Sequence, residues 1–484
     1  MEFNRSRRVF TLSASAALLL ASCASMEQDG QAVLLRADRA MGGSGLNTLR
    51  YTATGTGGTF GQAYVPGQAW PRLNISSYAR DIDYGNGAMR EESARSRAEP
   101  TGGGAVPLMG TGEQRTHGVV RGEYAWNVAG TAATAAPLAT TDRVHDLWIT
   151  PHGVIKAALK NRATLRSDGG MSALSFSEPG RFRAVAFING DGLVERVESI
   201  VPNPVMGDTR VVTRYMDYRD YGGVKFPGRI VQEQGGYPVL DLTVAQVQPN
   251  APVAIEVPAN VPAFAERAVS EKAADGVWFL AGGSHNSVLV EMKDHLILVE
   301  SPLYDGRALA VIAEAKRLVP GKPIRYVINS HHHFDHSGGV RTAVAEGATI
   351  VTSEQARPWF EQVLANPNSI RPDAMATSGR RATVTGVSGE RTFSDGERTV
   401  RVYMIDDSVH ARGFMMVWLP KERLLVEADA FTPGPPNTPP PAVVNANNLN
   451  LSDNIRRLNL DVDRILPLHG RMVSVSELNA AVRR

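Results

Sequence analysis

The segment 330–339 carries the pattern H-x-H-x-D-H, formed by His331, His333, Asp335 and His336. Imidazole nitrogens and carboxylate oxygens are the ligands that zinc takes in a nitrogen/oxygen site. The preceding run 324–329 is short, apolar and β-branched, which predicts a strand, and Gly338-Gly339 predicts a sharp turn after the pattern. A surface cluster of histidines fits less well, because an aspartate interrupts the run and an apolar strand precedes it. The segment therefore predicts a metal site at the end of a strand.

This pattern resembles the signature of the metallo-β-lactamase superfamily. The resemblance implies a distant histidine, then an aspartate, cysteine or serine, then a final histidine, each placed just after a strand. The chain offers His410, Asp429 and His469 in that order. Strand-like runs precede all three, at residues 400–405, 423–428 and 465–468.

The resemblance implies two metal ions, most simply two zinc ions, and a role for each ligand. His331, His333 and His410 would hold one ion, and Asp335, His336 and His469 would hold the second. Asp429 would bridge both, together with a water that loses its proton. Metal coordination brings the pKa of a water from 15.7 down to about 7, so hydroxide becomes available to attack a carbonyl or similar electrophile. Asp335 is the candidate catalytic residue, which would orient the nucleophile and pass a proton to the leaving group.

The ligand set also narrows the reaction class. Asp429 makes the set similar to those of glyoxalase-II-like thioesterases and lactonases, whereas metallo-β-lactamases proper carry cysteine or serine there. The resemblance therefore implies a hydrolase of an ester, thioester, lactone or amide. His333, in place of glutamate, disfavours a diiron oxygen-reducing site. A mononuclear iron enzyme similar to persulfide dioxygenases stays open as an alternative. A serine hydrolase has little support, because no G-x-S-x-G motif occurs.

Other residues near these motifs receive weaker predictions. His332 points away from its neighbours in an extended segment, so we expect it beside the ligands or at the surface. His285 is a candidate for contact with substrate, and Arg412 is expected to be a solvated arginine unless it meets an anionic substrate. His145 and His152 lack a third ligand and are expected to be surface or packing residues.

Length and composition indicate a soluble globular protein of two domains preceded by a leader. The chain has 484 residues, of which 43% are hydrophobic and 21% charged. The formal charge of +2 arises in the leader, so the remainder is neutral. Composition therefore gives no reason to expect a nucleic-acid partner, and we expect a small-molecule substrate. The oligomeric state stays open.

The beginning of the chain predicts export and lipid anchoring. Residues 6–10 resemble a twin-arginine export motif, an apolar stretch follows at 12–20, and Leu20-Ala21-Ser22-Cys23 resembles a bacterial lipobox. Cys23 is the only cysteine of the chain. We therefore expect lipidation at Cys23 and a protein at the periplasmic face of a bacterial membrane, attached through this anchor alone. Cleavage as an ordinary secretory signal is the alternative.

The pattern of strands and helices predicts five segments. They are an export signal (1–22), a tether (23–29), a mostly antiparallel β domain with a few helices (30–258), a linker (259–265) and an αββα sandwich of the metallo-β-lactamase type (266–484). Asn189-Gly190-Asp191-Gly192 predicts a hairpin, a helix over 144–159 should be interrupted at Pro151, and residues 100–140 are expected to form a long surface excursion.

The predicted ligands are confined to the second domain, between residues 331 and 469. We therefore expect a fragment from about Phe264 onward to bind both metals and to cleave small activated esters, although the β-rich half could form one wall of the site. A lipoprotein whose main role is ligand binding by the β-rich domain is the competing functional class.

Overall fold

The computed structural model describes residues 29–99, 112–440 and 442–484. The predicted export signal and Cys23 lie outside the described residues. Among the described residues, no helix combines the length and apolar character needed to cross a membrane.

A single antiparallel sheet of thirteen strands occupies the first half of the chain, in the order β6-β5-β4-β3-β2-β1-β15-β14-β11-β10-β9-β8-β7. Its strands, with the short pair β12 and β13 beside it, are β1 (Thr48–Gly58), β2 (Arg72–Asp83), β3 (Ala88–Arg97), β4 (Gln114–Arg121), β5 (Tyr124–Ala129), β6 (Ala132–Ala135), β7 (Thr164–Asp168), β8 (Met171–Glu178), β9 (Phe182–Ile188), β10 (Val194–Asn203), β11 (Gly207–Met216), β12 (Arg219–Asp220), β13 (Lys225–Phe226), β14 (Arg229–Gln234) and β15 (Tyr237–Pro249).

Three helices pack on this sheet: α1 (residues 29–40), α2 (Thr140–Trp148) and α3 (Pro151–Lys160). Side chains along a strand point alternately to the two faces of the sheet, and one face packs against these helices. In β1, Leu49, Tyr51 and Ala53 are buried, while the residues between them are more exposed. The predicted hairpin at 189–192 joins β9 and β10, and the predicted helix breaks at Pro151, which begins α3. The mostly antiparallel β architecture is confirmed.

The expected surface excursion over 100–140 is wrong for residues 114–135, which form β4, β5 and β6. Val119, Val120, Ala125 and Trp126 are buried in these strands. The glycine, alanine and threonine content hid them, because small residues give a weak alternation signal.

The second half of the chain contains two sheets with helices outside, which confirms the αββα sandwich. The first sheet has seven strands: β16 (Val269–Ala274), β17 (Val277–Ala281), β18 (Ser287–Glu291), β19 (Leu296–Val299), β20 (Ile324–Ile328), β21 (Thr349–Ser353) and β22 (Val384–Val387). The second has six: β23 (Glu390–Ser394), β24 (Thr399–Met404), β25 (Met415–Leu419), β26 (Leu424–Glu427), β27 (Arg464–Pro467) and β28 (Val473–Ser474).

The helices of this half are α4 (Asp305–Leu318), α5 (Phe334–Ser337), α6 (Val340–Ala345), α7 (Arg357–Ala365), α8 (Ala374–Ser378), α9 (Ala446–Arg457) and α10 (Val475–Ala481). Helices α4, α6 and α7 pack on the outer face of the seven-stranded sheet, and α9 and α10 pack with the six-stranded sheet. Strands β19 to β22 run parallel and β26 runs parallel to β27, so several strand ends meet at one edge of the sandwich.

No helix or strand lies between Pro249 and Val269. Ile255 and Val261 of this segment pack against Ala88, Val119 and Trp126 of the thirteen-stranded sheet. The domain boundaries given above stay a prediction.

Candidate metal centre

The motif segment follows the end of β20, as its sequence predicts, but it enters the short helix α5 before the predicted turn at Gly338-Gly339. Residues 329–333 run without helix or strand, and α5 begins at Phe334. The glycine after this turn is sterically required, because a Cβ at Gly338 would lie 1.8 Å from the carbonyl oxygen of Leu303. The tight approach fixes the motif against the segment that follows β19.

The three distant ligand candidates come from the neighbouring sheet. Asp429 lies two residues beyond the end of β26, and His469 lies two residues beyond the end of β27, at the edge where these parallel strands finish. His410 lies in the connection between β24 and β25. The structure thus brings all seven predicted ligands together.

Their side chains form two clusters, in each of which the candidate ligand atoms lie within 4.8 Å of one another. The first cluster contains His331, His333, His410 and Asp429, and the second contains His285, Asp335, His336 and His469. Asp429 also faces the second cluster, with its Oδ2 2.9 Å from His336 Nε2 and its Oδ1 2.9 Å from His469 Nε2. His285, which was not among the predicted ligands, lies in the second cluster.

Hydrogen bonds to the protein orient two of the rings of the first cluster. Ser330 Oγ lies 2.9 Å from His331 Nδ1, which leaves Nε2 of that ring facing the cluster. His333 Nε2 donates to the carbonyl oxygen of Ala63 at 3.0 Å, which leaves Nδ1 facing the cluster. Partners of this kind select the tautomer of a metal-binding histidine and hold its ring in place.

The electrostatics of the clusters suit a cation. Burial lowers the pKa of His331 and His333 well below the usual value, so both rings are neutral and present a lone pair. Burial disfavours the charged form of Asp429, but the charge of His336 and contacts with His410 and His331 outweigh it and hold the pKa of Asp429 well below its usual range. Burial likewise opposes the charge on His336, yet Asp429 and Asp335 raise the pKa of that ring to about 10. The two aspartates therefore favour a buried positive charge between them.

The donor set fits a bound metal ion. Both carboxylate oxygens of Asp429 are buried, and their only close polar neighbours among the described residues are four histidine nitrogens within 2.9–3.2 Å. A buried carboxylate surrounded by histidine nitrogens needs positive charge beside it, and bound cations would supply that charge.

Two buried glutamates that the sequence reasoning missed support the clusters. Glu300 accepts from the backbone N–H of Ser330 at 2.6 Å and faces His336 Nδ1 at 3.8 Å. Glu427 accepts from the backbone N–H groups of Ala430 and Phe431, just past Asp429. Burial raises the pKa of Glu300 to about 7. Each closes an apolar strand (Leu296–Val299 and Leu424–Glu427), and a charged residue at the end of a buried strand is a signal that could have found them.

A loop from the first domain reaches the metal centre; the sequence left such a wall open but did not indicate which residues form it. It joins β1 to β2 over residues 59–71. Gln62 Nε2 donates to Asp335 Oδ1 at 2.8 Å, and the carbonyl oxygen of Gly61 accepts from the backbone N–H of Phe334 at 3.1 Å. The predicted ligands all lie in the second domain, and the first domain contributes residues that contact them. A fragment from about Phe264 would lack Gln62 and Ala63.

Gly61 permits this docking. Its φ is +82°, and a Cβ there would lie 2.5 Å from Cγ of Phe334. On the other side of the loop, Tyr64 donates its hydroxyl to the carbonyl oxygen of Ser408 at 2.8 Å, close to His410. The loop thus spans the site from Phe334 to the connection that carries His410.

The sequence predicted the positions of the remaining histidines only in part. His285 lies inside the second cluster, with Nε2 3.1 Å from Asp335 Oδ2 and its ring centre 4.2 Å from that of His469. His332 is buried and donates from Nε2 to the carbonyl oxygen of Ala63 at 2.7 Å, so it is not at the surface. His145 and His152 are buried packing residues of α2 and α3, and Arg412 is exposed.

Part of this chain is similar to known proteins. A family model described as the metallo-beta-lactamase superfamily matches residues 280–469, a range that contains all seven predicted ligands. The 2,4-dinitroanisole O-demethylase subunit alpha of Nocardioides sp. (strain JS1661) is 27% identical over 208 residues, which cover 42% of this chain and 58% of that protein. The match thus spans less than two thirds of the relative's length.

Two solved structures match a similar share of this chain. The metallo-beta-lactamase from Pontibacter korlensis is 16% identical, with 45% of this chain and 98% of that chain covered and a TM-score of 0.35. The metallo-beta-lactamase FIM-1 from Pseudomonas aeruginosa in the mono-zinc form is 18% identical, with 45% and 95% covered and a TM-score of 0.33.

Proposed function

Since residues 280–469 belong to the metallo-beta-lactamase superfamily, we propose that this protein is a binuclear zinc-dependent hydrolase of an ester, thioester, lactone or amide. The observation that carries the proposal is Asp429, whose two buried oxygens face histidines of both clusters and lack any other donor among the described residues. This arrangement supports a carboxylate shared between two cations.

Bound zinc would polarise the substrate carbonyl and bring the pKa of a water toward about 7. The side chain of Asp335 is 17% exposed, whereas the other six predicted ligands are almost fully buried. It is therefore the ligand that a substrate and its attacking water can approach. We propose that Asp335 orients this water and carries its proton to the leaving group, so that water adds across the acyl bond and an acid and an alcohol, thiol or amine are released.

The test is elemental analysis of native protein that has not been supplemented with metal, combined with a panel of chromogenic esters, thioesters, lactones and amides. We expect two zinc ions per chain and hydrolysis within this panel. A single iron per chain would transfer the assignment to a dioxygenase similar to the persulfide enzymes, and a metal-free native protein would contradict both assignments. We also propose 2,4-dinitroanisole as a probe of aryl ether cleavage, because it is named as the substrate of the O-demethylase relative.

Gln62 is proposed as a positioning residue for Asp335. Its amide N–H donates to Asp335 Oδ1 while His285 faces Oδ2, so the two partners hold the carboxylate between them. We expect Gln62→Leu to lower the affinity for the second metal or the activity by roughly 10–100-fold, as is typical when a partner of a metal ligand is lost. Competition with a chromogenic chelator measures the affinity independently of catalysis.

Gln68→Leu is the matched control, because Gln68 is exposed on the same loop. It should leave both properties unchanged. If the two variants behave alike, the loop acts only as a cover and Gln62 does not position Asp335.

The lipid anchor is a proposal of its own. Cys23 is the only cysteine of the chain and follows a lipobox-like triplet, so we propose that it is acylated and holds the protein at the periplasmic face of the membrane. Mass spectrometry of the mature N-terminus should find acyl chains on Cys23, and Cys23→Ala should release the protein or stall its processing. An unmodified N-terminus beyond residue 23 would contradict the anchor.

A further inference from the structure

A pocket of about 720 Å³ lies between the two domains, beside the exposed edge of the metal centre. Its walls come from the loop that contains Gln62, from β3, from residues 137–142 and 202–204 of the first domain, and from residues 303–309, 334–335 and 368–373 of the second. The volume falls in the range of pockets that enclose small molecules, about 300–1,000 Å³.

The pocket meets the metal centre at Asp335. This residue and its partner Gln62 both line the pocket, and no other predicted ligand does. A molecule in the pocket would therefore lie against the carboxylate that we propose to orient the attacking water.

Uncovered apolar side chains form much of the wall. Leu138 of the first domain is 40% exposed and Leu309 of the second is 45% exposed, and both line the pocket. Phe60 and Phe334 line it as well, and their rings meet edge to face with centres 5.1 Å apart. Apolar side chains from both domains facing one cavity favour a ligand with an apolar body.

The pocket also contains a guanidinium that forms no ion pair with any residue that the structure describes. The Nε of Arg95 is buried and has no hydrogen-bond partner among the described residues. Burial lowers the pKa of Arg95, and the charge of Glu91 offsets this only in part. Arg371 adds a second, exposed guanidinium to the lining. A desolvated guanidinium is stabilised by an anionic partner, with which it forms two parallel hydrogen bonds.

Most acidic residues of the pocket lining already interact with other residues. Asp373 pairs with Arg341, and Asp305 accepts a hydrogen bond from Thr342. Asp142 also lines the pocket, and desolvation of its carboxyl group followed by the nearby charge of Asp146 raises its pKa to about 6. Among the described residues, no carboxylate of the lining forms an ion pair with Arg95.

We propose that the natural substrate is an amphiphilic anion, whose apolar body fills the interdomain pocket and whose anionic group pairs with Arg95 while the scissile acyl bond lies at Asp335. The proposal rests on the hydrolase function proposed above and names its substrate class. Hydrolysis of an ester of this kind adds water across the acyl–oxygen bond and yields a carboxylic acid and an alcohol.

Three 4-nitrophenyl esters test the proposal on the metal-loaded full chain: the acetate, the octanoate and the mono-ester of octanedioic acid. The octanoate carries the apolar body, and the octanedioate adds an anionic end. We expect kcat/KM to rise from acetate to octanoate to octanedioate. Arg95→Met should lower kcat/KM for the octanedioate by about 10–100-fold, the loss typical of one hydrogen-bonded charge pair, and should leave the octanoate within about twofold.

Arg115→Met is the matched control, because Arg115 is 81% exposed on the neighbouring strand and does not line the pocket. It should change neither substrate. Leu138→Gln, which makes an exposed side chain of similar size polar, should lower kcat/KM for the octanoate and leave the acetate unchanged. This second variant keeps the proposal testable if Arg95→Met does not fold.

Calorimetry with octane-1-sulfonate separates this proposal from the hydrolase function, since binding can be measured without turnover. If no ester is cleaved but sulfonate binding is lost in Arg95→Met, the pocket is supported and the hydrolase function fails. If the esters are cleaved but the Arg95 and Leu138 variants treat all three alike, the proposed substrate class is overturned and the hydrolase function stands.

Discussion

Asp429→Asn is expected to lose both metal ions and nearly all activity, although it preserves the shape of the side chain. Its carboxylate oxygens lie 2.9–3.2 Å from nitrogens of His331, His336, His410 and His469. A neutral amide cannot offset the repulsion between two cations, and its NH₂ group would face nitrogens that must present lone pairs. The loss should exceed the roughly 10–100-fold that follows a change in a residue supporting a ligand. Elemental analysis and kinetics on the purified variant measure both effects.

His332→Ala provides the comparison, because His332 lies next to two ligands in the chain and belongs to neither cluster. Its ring donates to the carbonyl oxygen of Ala63, so we expect looser docking of the loop and a moderate loss of activity with both metals retained. Circular dichroism shows whether each variant folds. Equal losses of activity and metal in the two folded variants would show that the wrong residues have been assigned as ligands.

Stripping both metals with a chelator is expected to abolish activity and to lower the melting temperature of the protein. Five separate segments of the chain meet at the two clusters, and the buried oxygens of Asp429 have no other donor among the described residues. Ligands present at 100 to 1,000 times Kd stabilise the native state by about 3–4 kcal/mol each. At about 2–4 °C per kcal/mol for a domain of 150–250 residues, the loss of one such ion corresponds to a decrease of roughly 6–16 °C.

Scanning calorimetry before and after chelation measures this shift, and added zinc should restore both stability and activity. The Asp429→Asn variant serves as the control, since a protein that no longer holds the ions should melt at the same temperature with and without the chelator. If the melting temperature of the wild-type protein is the same with and without the chelator, bound metal does not stabilise the contacts between these segments.

The docked loop changes how the first domain is understood. Gln62 touches Asp335, Ala63 orients His333, and the pocket beside them has walls from both domains. The two competing functional classes, a metallohydrolase and a ligand-binding β domain, therefore need not exclude each other. In the proposed arrangement the β-rich domain contributes to substrate binding for chemistry carried out in its partner domain.

The sequence by itself was sufficient for the ligand candidates and for the fold that holds them. His331, His333, Asp335 and His336 are close in the chain, so their pattern is local. Strand-like runs before the distant ligands place Asp429 and His469 at strand ends and His410 in the connection that follows a strand. Hydrophobic periodicity reports which face of a strand is buried, and that information is carried by neighbouring residues. The αββα sandwich and the antiparallel first domain could therefore be predicted.

Only the tertiary structure decided what surrounds these ligands. Gln62 lies 273 positions before Asp335 in the chain, and His285 lies 50 positions before it, yet both hold its carboxylate. Glu300 and Glu427 look like ordinary strand-end residues until burial turns them into partners of the clusters, and Arg95 looks like one of many strand arginines until the interdomain pocket encloses it. Contacts between distant segments depend on how whole sheets dock. Docking is set by the summed shape of many side chains, so no local pattern in the chain records it.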